Sequence, residues 1–177
     1  MSLTAEQEKL LLSNLNSLKV GGKTYVGKIA GSVLNAQAAT YSSGVVIGSF
    51  ASIEVFTSPN GTGVIQSIVL GDSSNQKGAL DLVFFDSATS ATFSNGSAPA
   101  PVAADLTRVL GSISIAATDY VSFNANACAI KTGIGMVIKN NSTVAGDLAK
   151  IWVLAVSRDT KTYTNHCLTL NLGILQD

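Results

Sequence analysis

The sequence predicts an all-β domain, a β-sandwich with jelly-roll-like connectivity, carrying one N-terminal α-helix. Three observations predict it. The last stretch, 167–175, alternates: Leu168, Leu170, Leu172 and Ile174 share one parity, and Thr169, Asn171 and Gly173 the other. That is the period of a half-buried strand. Short apolar, β-branched segments recur along the chain at spacings of about ten residues, with turn signals between them, as in a sandwich or barrel. The 177 residues suit one domain, which at this length buries about 70% of its unfolded surface.

The helix comes first. Thr4 and Gln7 have the spacing of a capping box. Leu11, Leu15 and Leu18 recur at i, i+4 and i+7, with Leu12 beside them, and form an apolar stripe. Lys19 complements the C-terminal end of the dipole, and Gly21-Gly22 supplies a left-handed stop. A helix about four turns long is marginal alone. Its stripe must dock on its own domain, a sister subunit or a partner.

After Gly22 the pattern turns to β. Residues 1–22 are expected to form a helical arm, 23–44 a linker or extended arm, and 45–177 the sandwich. Within the linker, 24–29 reads as strand or arm, and 34–43 as a small, polar loop. Residues 45–56 read as one long strand or two broken at Gly48. Ser58-Pro59-Asn60-Gly61 is a turn, because Asn-Gly accepts positive φ. Strands follow at 64–70 and 80–85, with a turn at 72–76. The stretch 87–101 is rich in Ser, Ala, Thr and Asn and holds Pro99 and Pro101. It reads as a long surface loop, and loops of that length are usually functional or mobile. Residues 103–110 contain a short helical turn. Short strands are expected at 112–116, 120–123, 128–131 and 135–139, then a turn at 140–142, then the long strands 148–157 and 167–175.

Charged residues make up 12% of the chain, about half the usual share. The exterior must then be coated by Ser, Thr, Asn, Gly and Ala, with little charge repulsion against close approach. Such a coat suits a protein packed against copies or other subunits, and equally a secreted β-protein. The net charge is +0 with no basic block, which argues against a nucleic-acid role, so no nucleic-acid partner is expected. Mean hydropathy of +0.36 argues against disorder. No apolar run reaches the ~18 residues of a membrane span. The N-terminus lacks the basic and apolar regions of a secretory signal, so synthesis and use in a cytoplasm are expected. Cys128 and Cys167 form no CxxC pair and are expected as buried thiols, with a disulfide as the lesser alternative.

The motifs that suggest chemistry are weak. Gly22-Lys23-Thr24 resembles the tail of a phosphate loop, but Ser17 stands where the earlier glycine belongs, and the stretch follows a helix instead of a strand. His166 adjoins Cys167, yet neighbouring strand residues point to opposite faces. His166 is the sole histidine, which removes triads and multi-histidine metal sites. Asp72-Ser73-Ser74-Asn75 lacks the alternating carboxylates and distal Glu of a calcium loop, so a turn is expected. The remaining carboxylates are scattered, without a glycosidase spacing. Trp152 sits mid-strand as a core or interface anchor. Asn60, Asn95 and Asn141 each open a glycosylation-type triplet and, without a signal, are read as turns. No enzyme activity, cofactor or metal ion is expected.

Four segments carry a family resemblance: Val64-Ile65-Gln66-Ser67-Ile68-Val69-Leu70, Ala79-Leu80-Asp81-Leu82-Val83-Phe84-Phe85-Asp86, Ala104-Asp105-Leu106-Thr107-Arg108-Val109-Leu110-Gly111, and Leu168-Thr169-Leu170-Asn171-Leu172-Gly173-Ile174-Leu175-Gln176-Asp177. From Val64 to the C-terminus the chain resembles small virion structural proteins of tailed bacteriophages. The resemblance implies a capsid decoration, cement or head-fibre protein, made in the host bacterial cytoplasm and placed on the capsid exterior. It implies binding to the major capsid protein, often as a homotrimer, through an arm or one sandwich face. Leu11, Leu15, Leu18 and Trp152 are the expected partner-binding anchors. The alternative is a receptor- or glycan-binding β module of a phage fibre, recognising its target through loops 58–63 and 87–101, where Phe93 is the sole aromatic side chain. A hydrolase with a dispersed site ranks third, against the lone histidine.

Overall fold

The alternation read in the last strand is the alternation of the core. In the computed structural model, which describes residues 26–34 and 36–176 (26–33 by backbone alone), Leu168, Leu170, Leu172 and Ile174 are buried while Thr169 and Asn171 face out. The expected helix 1–22 and its leucines lie outside the described residues. The elements in order are β1 (Val26–Val33), β2 (Ala39–Tyr41), β3 (Val46–Glu54), β4 (Thr62–Asp72), β5 (Leu80–Phe85), α1 (Ala103–Leu106), β6 (Val109–Ile115), β7 (Tyr120–Phe123), β8 (Asn126–Lys139), β9 (Lys150–Ser157), β10 (Lys161–Tyr163) and β11 (Leu168–Gln176). Two 3-10 turns, Ala117–Asp119 and Ala145–Asp147, precede β7 and β9.

The strands form two sheets, as an all-β sandwich requires. One has the order β1-β11-β4-β8-β7 and the other β3-β9-β5-β6; β2 and β10 make a separate two-stranded ribbon. Every pairing is antiparallel. Five of the pairings are nested in sequence: β1 with β11, β2 with β10, β3 with β9, β4 with β8, and β5 with β6. The inner faces meet in a core that includes Ile65, Ile68 and Leu70 of β4, Leu82 and Phe84 of β5, Ile151 and Val153 of β9, and the four aliphatic residues of β11. Each such side chain contributes roughly 1.5–3 kcal/mol relative to exposure.

Two local expectations are corrected and one alternative is settled. The stretch 34–43 is not simply a loop: Ala39–Tyr41 pairs with β10, and Leu34, Ala36 and Tyr41 are buried. The described part of 23–44 thus supplies two paired strands, with β1 joined to β11 along its length. The strands expected at 128–131 and 135–139 are one strand, β8. It absorbs a bulge opposite Ile65 and Ser67, where Gly133 and Gly135 adopt φ of 68° and 67°, a conformation that costs a residue with a Cβ. Of the two readings of 45–56, one long strand is found: β3 is continuous, with a bulge between Ile47 and Ala51 where Gly48 adopts φ 75°.

The alternation in β11 generates a test. Leu170→Ala should cost about 2–5 kcal/mol in urea unfolding, because it opens a cavity between the sheets. Asn171→Ala, one residue along on the outer face, should stay within ~0.5 kcal/mol. Equal losses at the two positions would contradict the observed register.

Candidate interaction surface

The loop 87–101 contains no helix or strand, yet it is part of the packing. Phe93 is buried in a second apolar cluster with Val46, Phe85, Trp152, Leu154 and Val156. These lie on the outer side of the four-stranded sheet, because their neighbours Ile151, Val153 and Ala155 face the main core. Phe50 meets the ring of Phe85 edge-on at 5.2 Å and that of Phe93 at 5.3 Å, favourable separations for aromatic pairs. The loop is a lid over apolar strand residues that would otherwise face water.

Polar ties hold the lid. Asp105, in α1, is fully buried. Its carboxylate accepts the N–H groups of Ser90 at 2.7 Å, Ala91 at 3.1 Å and Val102 at 3.2 Å. Burial alone would push this carboxyl up. The Ser90, Val102 and Ala91 N–H bonds, with Arg108 nearby, outweigh that and hold it below the ordinary value. Arg108 also donates to the Ala88 carbonyl. At the other end of the loop, Asn95 Oδ1 accepts the Tyr41 hydroxyl at 2.7 Å and the Gly48 N–H at 2.6 Å. Its amide donates to Gln37 Oε1 at 3.1 Å. Asn95 therefore stitches the loop to the β3 bulge.

Between lid and sheet runs an apolar groove of about 310 Å³, floored by Phe85, Leu154 and Val156 and rimmed by Pro101, Leu106 and Val109. Leu106 is 61% exposed, and Val102 and Val109 are exposed beside it. Arg158 also borders the groove, and its guanidinium is paired with Asp81 at 2.6 Å. The groove therefore offers apolar contact with little net charge, on a wall fixed by the Asp105 ties. Phe85 was legible in the sequence as a strand residue and 103–106 as a helical turn; Val109, expected within the helical stretch, instead opens β6, and that these residues meet was not legible.

The sequence-predicted site residues separate. Leu11, Leu15 and Leu18 lie outside the described residues, as does Gly22-Lys23-Thr24. Trp152 is 6% exposed within the lidded cluster, so of its two expected roles, core or interface anchor, it occupies the core one in this chain. Phe93, the sole aromatic side chain in loops 58–63 and 87–101, is buried as well. His166 sits in a left-handed turn at φ 54° and is exposed, whereas Cys167 is buried. His166 borders a wide polar depression of about 570 Å³ with Gln37, Ser49 and Asn165. Asn165 Oδ1 is used there to accept the Ala38 N–H at 2.7 Å. Both cysteines are free thiols, Cys167 buried and Cys128 half-buried, so the disulfide alternative is corrected.

The run at Asp72 is a turn: its carboxylate accepts the N–H groups of Ser74 at 2.9 Å and Lys77 at 2.8 Å. Among the described residues no three His, Cys, Asp or Glu side chains gather as a metal site. Tyr120 and Tyr163 are buried near Asp72 and Asp159, and burial pushes both phenols above their ordinary value. They are hydrogen-bonding core residues, with Tyr120 donating to the Gly78 carbonyl at 3.0 Å. Sequence reasoning missed Asp105 and Asn95. The Asn95-Gly96 pair and the lone carboxylate in 103–110 were their faint signals.

Asp105 sets a pH dependence for the lid. Its folded pKa is depressed, so its contribution is complete above the ordinary carboxylate value, near 3.9. That contribution is lost as pH falls below it, through the depressed folded value. Limited proteolysis should find 87–101 resistant at neutral pH and cleavable only in that acid window. Asp105→Asn, which keeps the shape but loses the charge, should be cleaved there at neutral pH. Cleavage identical to wild type would remove Asp105 as the tie. In comparisons with known proteins, no family model matches this chain, and no curated protein matches it.

Proposed function

We propose that this protein is a non-enzymatic virion structural protein that decorates or cements the capsid exterior of a tailed bacteriophage by binding its major capsid protein. The observation that carries the reading is the apolar groove: exposed Leu106 and Val109 rim it, with exposed Val102 nearby, beside a lid pinned by buried Asp105. A rigid apolar wall with few charges favours contact with another protein surface. We read the nested pairing of β1 with β11, β3 with β9, β4 with β8 and β5 with β6 as jelly-roll connectivity; two interlocked Greek keys give that strand order. The low charge content supports packing among symmetric copies, with a homotrimer as the expected assembly. Repetition over a shell then multiplies weak single contacts into firm attachment.

A second reading, a glycan- or receptor-binding module, draws on the polar depression at Gln37, Ser49, Asn165 and His166. It has lost its aromatic platform, because Phe93 is buried. Virion structure therefore remains the better-supported reading.

Co-sedimentation with assembled shells of the cognate capsid protein tests it. The wild-type chain should pellet with shells at saturable stoichiometry. Leu106→Asp, at a position already exposed, should keep its melting temperature and lose roughly tenfold or more in affinity, as expected when an apolar contact worth about 1.5 kcal/mol or more is replaced by a buried charge. Failure of the wild type to pellet would refute the capsid reading. Wild-type pelleting with an unaffected Leu106→Asp would move the contact away from the groove.

A further inference from the structure

The two outer faces of the sandwich are treated differently. That of the four-stranded sheet is lidded by 87–101. That of the five-stranded sheet is apolar as well, but no described residue lids it. Ile130 and Val137 of β8 are 53% and 68% exposed, and Val121 of β7 is exposed beside them. Val64, Val69 and Leu175 are half-buried. The register places them in rows: Val137 opposite Val64 and Val64 opposite Leu175, then Ile130 opposite Val69. Their inward neighbours Ile65, Leu70 and Ile174 are core residues, so the rows point away from the core. The outer positions between these rows, Thr132, Ser67 and Gly173, carry no charge.

We infer that this face is the dock for the leucine stripe of residues 4–19 of the same chain. Three observations select that occupant. First, the described chain begins at Val26, opposite Gln176, and Gly27 lies opposite Leu175. The preceding residues therefore emerge beside the Val137–Val64–Leu175 row. Second, the reach fits. Leu18 lies eight residues before Val26, at most about 29 Å of extended chain. Five strands span about 19 Å, and a 15-residue helix is about 22 Å long. No second copy is needed to bring the stripe onto the sheet. Third, the partners match in kind. A marginal amphipathic helix needs an apolar surface to become stable, and rows of exposed aliphatic residues on a sheet face need a cover. Leu11, Leu15 and Leu18 would then close a third layer instead of contacting a capsid. This inference does not depend on the capsid reading.

Photo-crosslinking in the full-length chain tests it, with a benzophenone side chain in place of Leu15. Adducts should map to the outward residues of β4, β7 and β8 within the single-chain band. Ile130→Glu with Val137→Glu, both at exposed positions, should cut that yield by about tenfold, as loss of a buried aliphatic contact predicts. Leu11→Glu with Leu18→Glu, which leaves the sandwich untouched, should cut it equally. Circular dichroism melting verifies that each variant remains folded. Adducts confined to a dimer or larger band would overturn the inference in favour of a second copy. Adducts away from this face, or a yield unchanged by both variants, would overturn docking altogether.

Discussion

β9 is buried on both faces, and the rest of the structure is arranged around that constraint. Every residue from Ile151 to Ser157 is buried. Ile151, Val153 and Ala155 fill the core between the sheets, while Trp152, Leu154 and Val156 need a second cover. A sheet in an antiparallel sandwich normally leaves its outer face to water. Here the sequence is too apolar for that, and the loop 87–101 supplies the missing layer. The loop has few apolar side chains of its own, so Phe93 inserts and polar ties do the rest. Asp105 and Asn95 together turn a Ser- and Ala-rich segment into a fixed wall. The groove on that wall follows from the same requirement.

The nested pairing adds a second constraint. The first described strand and the last are hydrogen-bonded neighbours, and β11 lies between β1 and β4. The five-stranded sheet cannot assemble until the C-terminal strand has arrived. Non-local pairing of this kind is slow to form, because loop closure must precede the contacts that reward it. It also ties both ends of the described chain into one sheet, β1 as its edge strand and β11 as its neighbour.

Legibility followed the physics of each segment. β11 was readable because one face is wet, which imposes alternation on Leu168 to Ile174. β5 and the Ser58–Gly61 turn were readable from apolar density and from Asn-Gly. α1 was readable as a helical turn. Trp152 was not assignable, since Ile-Trp-Val-Leu-Ala-Val shows no alternation when both faces are buried. The stretch 34–43 was missed because β2 and its surroundings are small and polar, and their order comes from partners such as β10 and Asn95 far along the chain. β8 was split in two because its bulge uses glycines that read as breaks. The wall of the groove was illegible for a similar reason: Asp105 caps residues 14 and 15 positions earlier, a relation no local pattern encodes.

The functional account rests on the loop 87–101 being a fixed wall and not a mobile recognition loop. Amide hydrogen exchange at Ser90 and Ala91 measures this most directly, since both N–H groups end on the Asp105 carboxylate. A fixed wall predicts protection comparable to the β9 amides beneath it. Exchange at the rate of an open chain, with β9 still protected, would contradict the account and return the loop to the role of a mobile binding element.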